Sequence, residues 1–562
     1  MGQAPVLSEA RSRIRPRVGC VSLSALVAAA LTVSACGSDD GSSGSGTDKG
    51  SAGAAPELVA TTPAPRGDLE RAVWALNTGE PTTLDWIRSA PVQGEIPVSP
   101  VCETLVRLQP DFTTSAGLAE EVENPDPRTW IYRLRDGVRF HDGRPLTADD
   151  VVFSLLRATR SEQSTIAAAG LNVRSIRRTG PLEVTVTLTQ PDVLWNQQMA
   201  SRAGQVHEAA YVRQQGEAYG SPAGGLMCTG PYRLAKWEPG KGFTLTANDD
   251  YWDPQLRPKV ASWELRFLTD TAALTNGLRS GEVDGAYALS PVSYPQLGDG
   301  QSGTLTFGPS PEVLSLAVAR GDGPLADARI RRALSLAIDR QAIADTIYKG
   351  GAEPVRSILS PAMWGYAREV FRAAYDELPA TEVDGEQARA LVEEAGRPSA
   401  PIVIAAPATL PEFAETARAI QSFGEQIGLN VKTKLVSVTE FGALFADPRL
   451  REGIDGIVTE SSVALAEPLD QALRVMVPGG ARNYAGYDDR EVTEALTRAR
   501  QTGDEEERAR LIARAQARFT ADVGWIPIAS VHQSVFQGDR ITGAPASFAF
   551  IQYPWAADVG AR

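Results

Sequence analysis

The stretch Trp130–Ala158 constrains the fold more than any other part of this 562-residue chain. Residues 130–135 alternate large apolar and charged side chains, which predicts a half-buried strand. Asp136-Gly137 favours a two-residue hairpin turn, because both residue types tolerate positive φ. We therefore expect residues 138–141 to return as a strand paired with the first.

The same stretch continues into a helix with a clear start signal. Thr147 can accept a hydrogen bond from a free backbone amide, and Asp150 can reach back to it, as in a capping box. The apolar residues that follow recur at helical spacing and predict a buried stripe: Val151, Val152, Leu155 and Leu156. The stretch therefore predicts scaffold, and we interpret His141 within it as part of a turn rather than as a catalytic base.

The N-terminus has the features of an export signal. A run of arginines precedes the apolar residues 18–31, which are too few for the ~20 residues of a membrane span and fit a signal-peptide core. Val33-Ser34-Ala35-Cys36 resembles a bacterial lipobox, in which the cysteine receives a diacylglycerol. We expect a lipoprotein signal peptide over residues 1–35, a lipid on Cys36, and a flexible tether over residues 36–67. The alternative is an ordinary signal peptide with an incidental cysteine.

Composition and motifs exclude several classes of function. The formal net charge of −14 argues against a nucleic-acid binder, which would carry a basic patch. The sequence has no GxSxG elbow, no P-loop and no Cys or His arranged for nucleophilic catalysis, so we expect no enzyme. The three histidines are widely separated and no CxxC motif is present, so we expect neither a metal site nor a cofactor.

Two cysteines remain once the export signal and the lipid site are set aside. Cys102 and Cys228 would then lie in an exported protein, where disulfides persist. We expect a bridge between them, with two free buried thiols as the alternative.

Three further segments carry recognisable patterns. Residues 228–252 combine a Gly-Pro-Tyr strand, Pro-Gly and Lys-Gly turns, and a Tyr-Trp pair. Residues 328–343 place apolar side chains at helical spacing. Residues 483–527 contain two amphipathic helical patterns followed by a strand.

These segments, together with residues 133–158, resemble the signature of family 5 extracellular solute-binding proteins, the peptide and nickel type receptors of ABC importers. The resemblance covers about residues 69–545 and implies an α/β fold. That fold is a two-lobe, periplasmic-binding-protein-like clamp of type II, with an extra subdomain in lobe 1. It also implies a monomeric receptor on the outer face of the bacterial cytoplasmic membrane, which captures peptides or peptide-like solutes for ABC permease and ATPase subunits.

The resemblance also suggests how the chain is divided between the lobes. We expect lobe 1 to comprise residues 68–103, 225–305 and 530–562. Its extra subdomain would span residues 104–224, and lobe 2 would span residues 306–529.

In the family the solute lies between the lobes, and three loops of this chain are candidates to contact it. Aromatic side chains there would supply apolar walls, while arginine and glutamate would pair with charged ends of the solute. The candidate residues are Ser89, Gln93 and Glu95 in the first loop, Trp364 and Tyr366 in the second, and Glu460, Ser461, Ser462, Arg482, Asn483 and Tyr484 in the third. An ordinary loop or core role is the alternative for each of them.

One departure from the family pattern bears on the solute. Peptide-binding members carry an acidic residue in a tryptophan- and aspartate-rich loop of the second lobe, where it binds the peptide amino terminus. The corresponding residues 456–468 contain neither Trp nor Asp. Either Glu460 substitutes, or the solute has no free amine. The alternatives are therefore a receptor for an oligosaccharide, an opine or a metal chelate, or a peptide-sensing protein without an uptake role.

Overall fold

The structure is a computed structural model that describes residues 56–89, 91–461, 463 and 465–562, except for the side chains of residues 91–93. These residues lie within one compact unit, Gly53–Arg562, and a second unit, Met1–Ala52, lies outside the described residues. The expected signal peptide, the lipidation residue Cys36 and residues 36–55 of the expected tether therefore fall outside the description. Residues 56–67, expected to be flexible, instead bond to the first lobe, where the Val59 amide donates to the Phe307 carbonyl and the Arg66 amide to the Ala561 carbonyl. Within the described part of the chain, no helix has the length and apolar character needed to span a membrane.

The strands, numbered in chain order, are β1 (Leu69–Leu76), β2 (Val106–Leu108), β3 (Thr114–Ala116), β4 (Ala119–Asp126), β5 (Thr129–Leu134), β6 (Val173–Gly180), β7 (Glu183–Leu188), β8 (Tyr232–Glu238), β9 (Gly242–Ala247), β10 (Val260–Phe267), β11 (Gly285–Tyr287), β12 (Gly303–Gly308), β13 (Val313–Val318), β14 (Ala352–Pro354), β15 (Ile402–Pro407), β16 (Val431–Val436), β17 (Gly456–Ser461), β18 (Trp525–Val531), β19 (Gln533–Gly538), β20 (Ile541–Thr542) and β21 (Gly560–Ala561).

The α-helices, numbered in the same way, are α1 (Pro91–Val98), α2 (Ala148–Arg160), α3 (Leu194–Gln198), α4 (Ala209–Gln215), α5 (Thr271–Ser280), α6 (Tyr294–Leu297), α7 (Ala328–Ala337), α8 (Arg340–Thr346), α9 (Arg368–Asp376), α10 (Gly385–Glu394), α11 (Pro411–Gln426), α12 (Val438–Ala446), α13 (Pro468–Val475), α14 (Arg490–Gln501) and α15 (Glu505–Ala521).

The first lobe is built on a seven-stranded sheet in the order β12-β19-β11-β1-β10-β9-β8. β1 pairs in parallel with β10 and β11, so the earliest strand lies in the middle of the sheet. A fully buried aromatic group packs on this sheet, and the rings of Trp74 and Trp555 lie 4.6 Å apart. Because Trp555 is near the C-terminus, both ends of the described chain contribute to one core.

A smaller four-stranded sheet, in the order β4-β5-β7-β6, forms an extra subdomain of the first lobe together with α2. The Thr147 side chain accepts from the Asp150 amide and Asp150 bonds back to the cap, so the predicted capping box is confirmed. The predicted hairpin is wrong, because β5 pairs with β4 on one edge and β7 on the other. With both edges of β5 occupied, residues 138–141 form no strand, and the His141 amide donates to the Cys228 carbonyl instead.

The second lobe is built on a six-stranded sheet in the order β14-β18-β13-β17-β15-β16. β15 is parallel to β16 and β17, whereas β13 runs antiparallel to β17 and β18. Side chains alternate across the sheet, so Leu316 and Ile404 pack beneath α7, α10 and α11 on one face. Trp525 on the other face packs against α14 and α15.

The chain crosses between the two sheets between β12 and β13 and again at His532, between β18 and β19. The lobes also touch away from these crossings. Leu194 of α3 is buried among second-lobe side chains, while Leu465 is buried in the core of the extra subdomain. An ion pair between Asp192 and Arg500, 2.6 Å apart, lies beside Leu194. The structure is therefore a clamp whose two lobes are in contact.

Candidate functional site

Three glutamates meet at one edge of the second-lobe sheet, where it faces the first lobe. Glu460 lies near the end of β17, Glu412 opens α11 just after β15, and Glu312 immediately precedes β13. The carboxyl ends of parallel strands β15 and β17 lie at the same edge, and such edges of open α/β sheets are where ligands bind. We call Glu312, Glu412 and Glu460 the acidic cluster.

Neighbouring hydroxyl groups hold the acidic cluster in place. The Tyr348 hydroxyl donates to Glu460 Oε1 at 2.8 Å. Ser290, which belongs to the first lobe, donates to Glu412 Oε2 at 3.0 Å. The cluster thus lies between the lobes, and all three glutamates remain partly accessible to solvent.

Among the described residues, no arginine or lysine forms a close ion pair with a carboxylate of the acidic cluster. Burial raises the pKa of Glu312 to about 7. The hydrogen bond with Ser310 and the positive charge of Arg482 act in the opposite direction and lower it. Burial, together with the charges of Glu312 and Glu412, raises the pKa of Glu460 well above its ordinary value. Burial therefore disfavours the ionised forms of these carboxyl groups, and a cation placed beside the cluster would favour them.

Three arginines lie close to one another between the lobes, and we call Arg202, Arg474 and Arg482 the arginine group. Arg482 also lies close enough to Glu312 for their charges to interact. Arg202, from the first lobe, donates to the Ser89 carbonyl at 2.7 Å. Burial lowers the pKa of Arg202 and of Arg482, and the positive charge of Arg474 lowers both further. Because Arg474 belongs to α13, guanidinium groups from both lobes act on one another, and an anion between them would be bound favourably.

The first predicted loop lies beside this arginine group. Glu95 on α1 is buried, with Arg202 Nε 3.6 Å from its Oε1 and Gln205 donating to its Oε2 at 3.0 Å. Ser89 is also buried and contacts Arg202. Gln93 lies on α1, but its side chain is outside the described atoms.

The second predicted loop is placed differently. Trp364 is buried and stacks on Phe371 in the helical layer of the second lobe. The Tyr366 hydroxyl donates to Glu467 Oε1 at 3.0 Å, and Arg508 lies over the Tyr366 ring at 4.1 Å. Both aromatic residues therefore have packing roles within the second lobe.

The third predicted loop is split between the cleft and the scaffold. The Ser461 hydroxyl accepts from Gln471, and Ser462 lies outside the described residues. The Asn483 amide group bonds the backbone of Val477 and Tyr487. Tyr484 stacks beside Trp525, with Arg451 4.7 Å above its ring. Of this loop, Glu460 and Arg482 contribute charge to the cleft.

The structure thus brings Glu460 and Arg482 close enough to Glu312 for their charges to interact, and it brings Ser89 and Glu95 to Arg202. Sequence reasoning missed several partners of these residues: Arg202, Gln205, Glu312, Tyr348, Glu412 and Arg474. No motif marks them, since they meet only through strand order and lobe contact.

A disulfide joins Cys102 and Cys228 within the first lobe, across 126 residues of sequence. His207 Nδ1 lies 3.3 Å from the Cys228 sulfur and accepts or donates a 2.6 Å hydrogen bond with Tyr219. These two cysteines and His207 are the one group of metal-ligand residues found close together in the described part of the chain. With both sulfurs bonded to each other, neither is a thiolate that could bind an ion.

Comparison with known proteins identifies the kind of protein to which this cleft belongs. Residues 113–474 match the family model described as bacterial extracellular solute-binding proteins, family 5 middle. The chain belongs to family 5 of the bacterial extracellular solute-binding proteins. Proteins of this family are solute receptors of ABC importers, and the relatives of this chain are binding proteins rather than enzymes.

Individual relatives in family 5 are similar to this chain in sequence or in structure. The glutathione-binding protein GsiB of Salmonella paratyphi A is 26% identical over 464 residues, which cover 80% of this chain and 86% of GsiB. The oligopeptide-binding protein AppA of Bacillus subtilis, solved with a nonapeptide, matches at TM-score 0.76 and 18% identity, covering 89% and 100% of the two chains. NikA of Staphylococcus aureus, solved with Ni(L-His)2, matches at TM-score 0.72 and 20% identity, covering 86% and 98%. These structures share the type II periplasmic-binding-protein fold.

Proposed function

We propose that this family 5 protein is a lipid-anchored receptor that captures peptides or peptide-like solutes for an ABC importer. The single observation that carries the proposal is the placement of the acidic cluster and the arginine group in the same cleft between the lobes. A peptide has an ammonium group at one end and a carboxylate at the other. The acidic cluster suits the first, and the arginine group suits the second.

The electrostatics of the cleft favour a charged solute. The acidic cluster has pKa values raised by burial, and the arginine group has members with lowered pKa values, so each set disfavours its own charge. A solute with complementary charges removes both costs at once. Closure of the lobes then removes water from the contacts, which strengthens them.

Residues 456–468 lack the aspartate of the family pattern, and under this proposal the acidic cluster supplies the negative charge instead. Glu460 lies in that segment, and Glu312 and Glu412 join it from distant parts of the chain. An aspartate in the loop is therefore not needed to provide an anion for an amino terminus. The relatives GsiB and AppA, described as glutathione- and oligopeptide-binding, favour a solute of this class.

The remaining elements of the proposal concern location and partners. A lipid on Cys36 would hold the receptor at the outer face of the cytoplasmic membrane, with the segment between Cys36 and the first lobe as the tether. A monomer would deliver solute to a permease that is driven by ATPase subunits. The same proposal includes the division of the chain into lobes. Lobe 1 comprises residues 68–103, 225–305 and 530–562, its extra subdomain comprises residues 104–224, and lobe 2 comprises residues 306–529.

The test is calorimetric titration of a tripeptide with a free amino terminus and of its N-acetylated form. Glu460→Gln should weaken binding of the free tripeptide by ~1–3 kcal/mol, the scale of a hydrogen bond to a charged group. The acetylated peptide should bind weakly to both proteins. Glu452→Gln, at an exposed residue, is the matched control. Unchanged affinity on Glu460→Gln would remove Glu460 from the site, and failure of every peptide to bind would contradict the proposed function.

A further inference from the structure

A second carboxylate site lies in the first lobe, on α1 and the loop that precedes α4. Glu95 and Gln205 are each 1% exposed, and the Gln205 amide donates to Glu95 Oε2 at 3.0 Å. Among the described residues, Glu95 Oε1 and Gln205 Oε1 are buried and have no hydrogen-bond partner, although Arg202 forms an ion pair with Glu95 Oε1. Each of the two oxygens can therefore accept a further hydrogen bond.

Another glutamate of the same lobe has hydrogen-bond donors on both of its carboxylate oxygens. Glu103 is buried as well, at 7% exposure. Its oxygens accept from Thr229 at 2.8 Å, from Tyr251 at 2.8 Å and from Trp252 at 3.0 Å. Buried polar groups in proteins are bonded in this way as a rule. The carboxylate of Glu95 is thus less completely bonded than that of Glu103.

The surroundings of Glu95 place it at the interlobe cleft. Arg202 Nε lies 3.6 Å from Glu95 Oε1, beyond hydrogen-bond distance. Arg202 already donates to the Ser89 carbonyl, and it feels the charge of Arg474 from the second lobe. Arg202 is therefore next to Glu95 and close to a second-lobe arginine, which puts the Glu95 carboxylate near the contact between the lobes.

We infer that Glu95 and Gln205 form a second cation subsite, so that the preferred solutes carry a basic side chain in addition to an amino terminus. An ammonium group has three donors and no acceptor, which matches a carboxylate oxygen beside an amide oxygen. This inference rests on the proposed function, because it concerns the solute held in the same cleft. It assigns the amino terminus to the acidic cluster, the solute carboxylate to the arginine group and the basic side chain to Glu95.

Protonation of Glu95 provides an independent signature. Burial raises its pKa to about 8, although Arg202 and Gln205 act in the opposite direction. The Glu95 carboxyl is therefore mostly protonated at pH 7. An ammonium group bound at Glu95 favours the ionised form, so binding of a basic solute should release protons from this site.

The experiment compares two tripeptides by calorimetry, one with a central lysine and one with norleucine at the same position. The lysine peptide should bind at least about 10-fold more tightly, because its ammonium group can make a charge-assisted hydrogen bond that the norleucine side chain lacks. Glu95→Gln should reduce this ratio to within about 2-fold, whereas the control Glu103→Gln should keep it. Thermal unfolding checks that both variants are folded.

The possible results separate this inference from the proposed function. Equal affinity for the two peptides, or a preference that survives Glu95→Gln, would overturn the second cation subsite while peptide capture stands. If neither peptide binds, the proposed function fails and the subsite fails with it. Titrations of the unmodified protein in buffers with different ionisation enthalpies add a readout that needs no variant. They should show greater proton release at pH 7 for the lysine peptide, and equal release would contradict the inference.

Discussion

Glu312→Gln should stabilise the solute-free protein above pH 7, although it removes a carboxylate from the cleft. Burial raises the pKa of Glu312 from 4.5 to about 7 in the folded protein. The unfolded chain returns this carboxyl to its ordinary pKa. The folded state therefore binds the proton more tightly, and this residue lowers the stability of the protein as pH rises from about 4.5 to about 7.

The size of the effect follows from the two pKa values. The difference between 4.5 and about 7 corresponds to about 3 kcal/mol of unfolding free energy once pH exceeds both values. Below about pH 4 the carboxyl is protonated in both states and the penalty vanishes. Glutamine has nearly the same shape and no charge, so Glu312→Gln removes the penalty without leaving a cavity.

Urea unfolding between about pH 4.5 and pH 8 measures this directly, because the free energy in water is obtained at each pH by linear extrapolation. The unfolding free energy of the Glu312→Gln variant should rise relative to that of the unmodified protein as pH increases, by about 3 kcal/mol over the range. Glu452→Gln, at an exposed residue, should show no such trend. A Glu312→Gln difference that stays constant with pH would refute the reasoning about the acidic cluster.

Two further predictions concern the cysteines. Replacing both Cys102 and Cys228 by alanine should cost about 5 kcal/mol of unfolding free energy, the loop-closure value for a bridge across 126 residues; a loss below about 1 kcal/mol in urea unfolding would show that the bridge does not constrain the unfolded chain. Cys36→Ala should move the protein from the membrane fraction into the medium, and its persistence in the membrane fraction would contradict lipid anchoring.

Local signals in the sequence predicted local structure well. The capping box at Thr147 and Asp150 was predictable because both partners lie within one turn of the helix they begin. The hairpin at Asp136-Gly137 failed because pairing is decided by competition between strands. β7, more than fifty positions after the start of β5, takes the edge that residues 138–141 would have used. A turn signal alone does not reveal that competitor.

The candidate site was predictable only in part, for a related reason. Glu460 was singled out from the sequence because it lies in the segment that departs from the family pattern. Glu312 and Glu412 were missed, since they reach Glu460 only through the strand order β13-β17-β15 of the second-lobe sheet. Asn483 was proposed as a ligand contact, yet its amide group bonds Val477 and Tyr487 within its own loop. Residue type and loop position predict polar groups near a cleft, but they do not reveal which of these groups are already bonded.

Native mass spectrometry tests the central claim most directly. The protein would be unfolded to release any bound solute, refolded, and offered an equimolar mixture of di-, tri- and tetrapeptides. We predict one peptide bound per chain, with basic peptides enriched among those bound. The Glu460→Gln variant should retain less peptide than the unmodified protein. A chain that retains no peptide from the mixture would contradict the claim that the cleft between the acidic cluster and the arginine group is a peptide site.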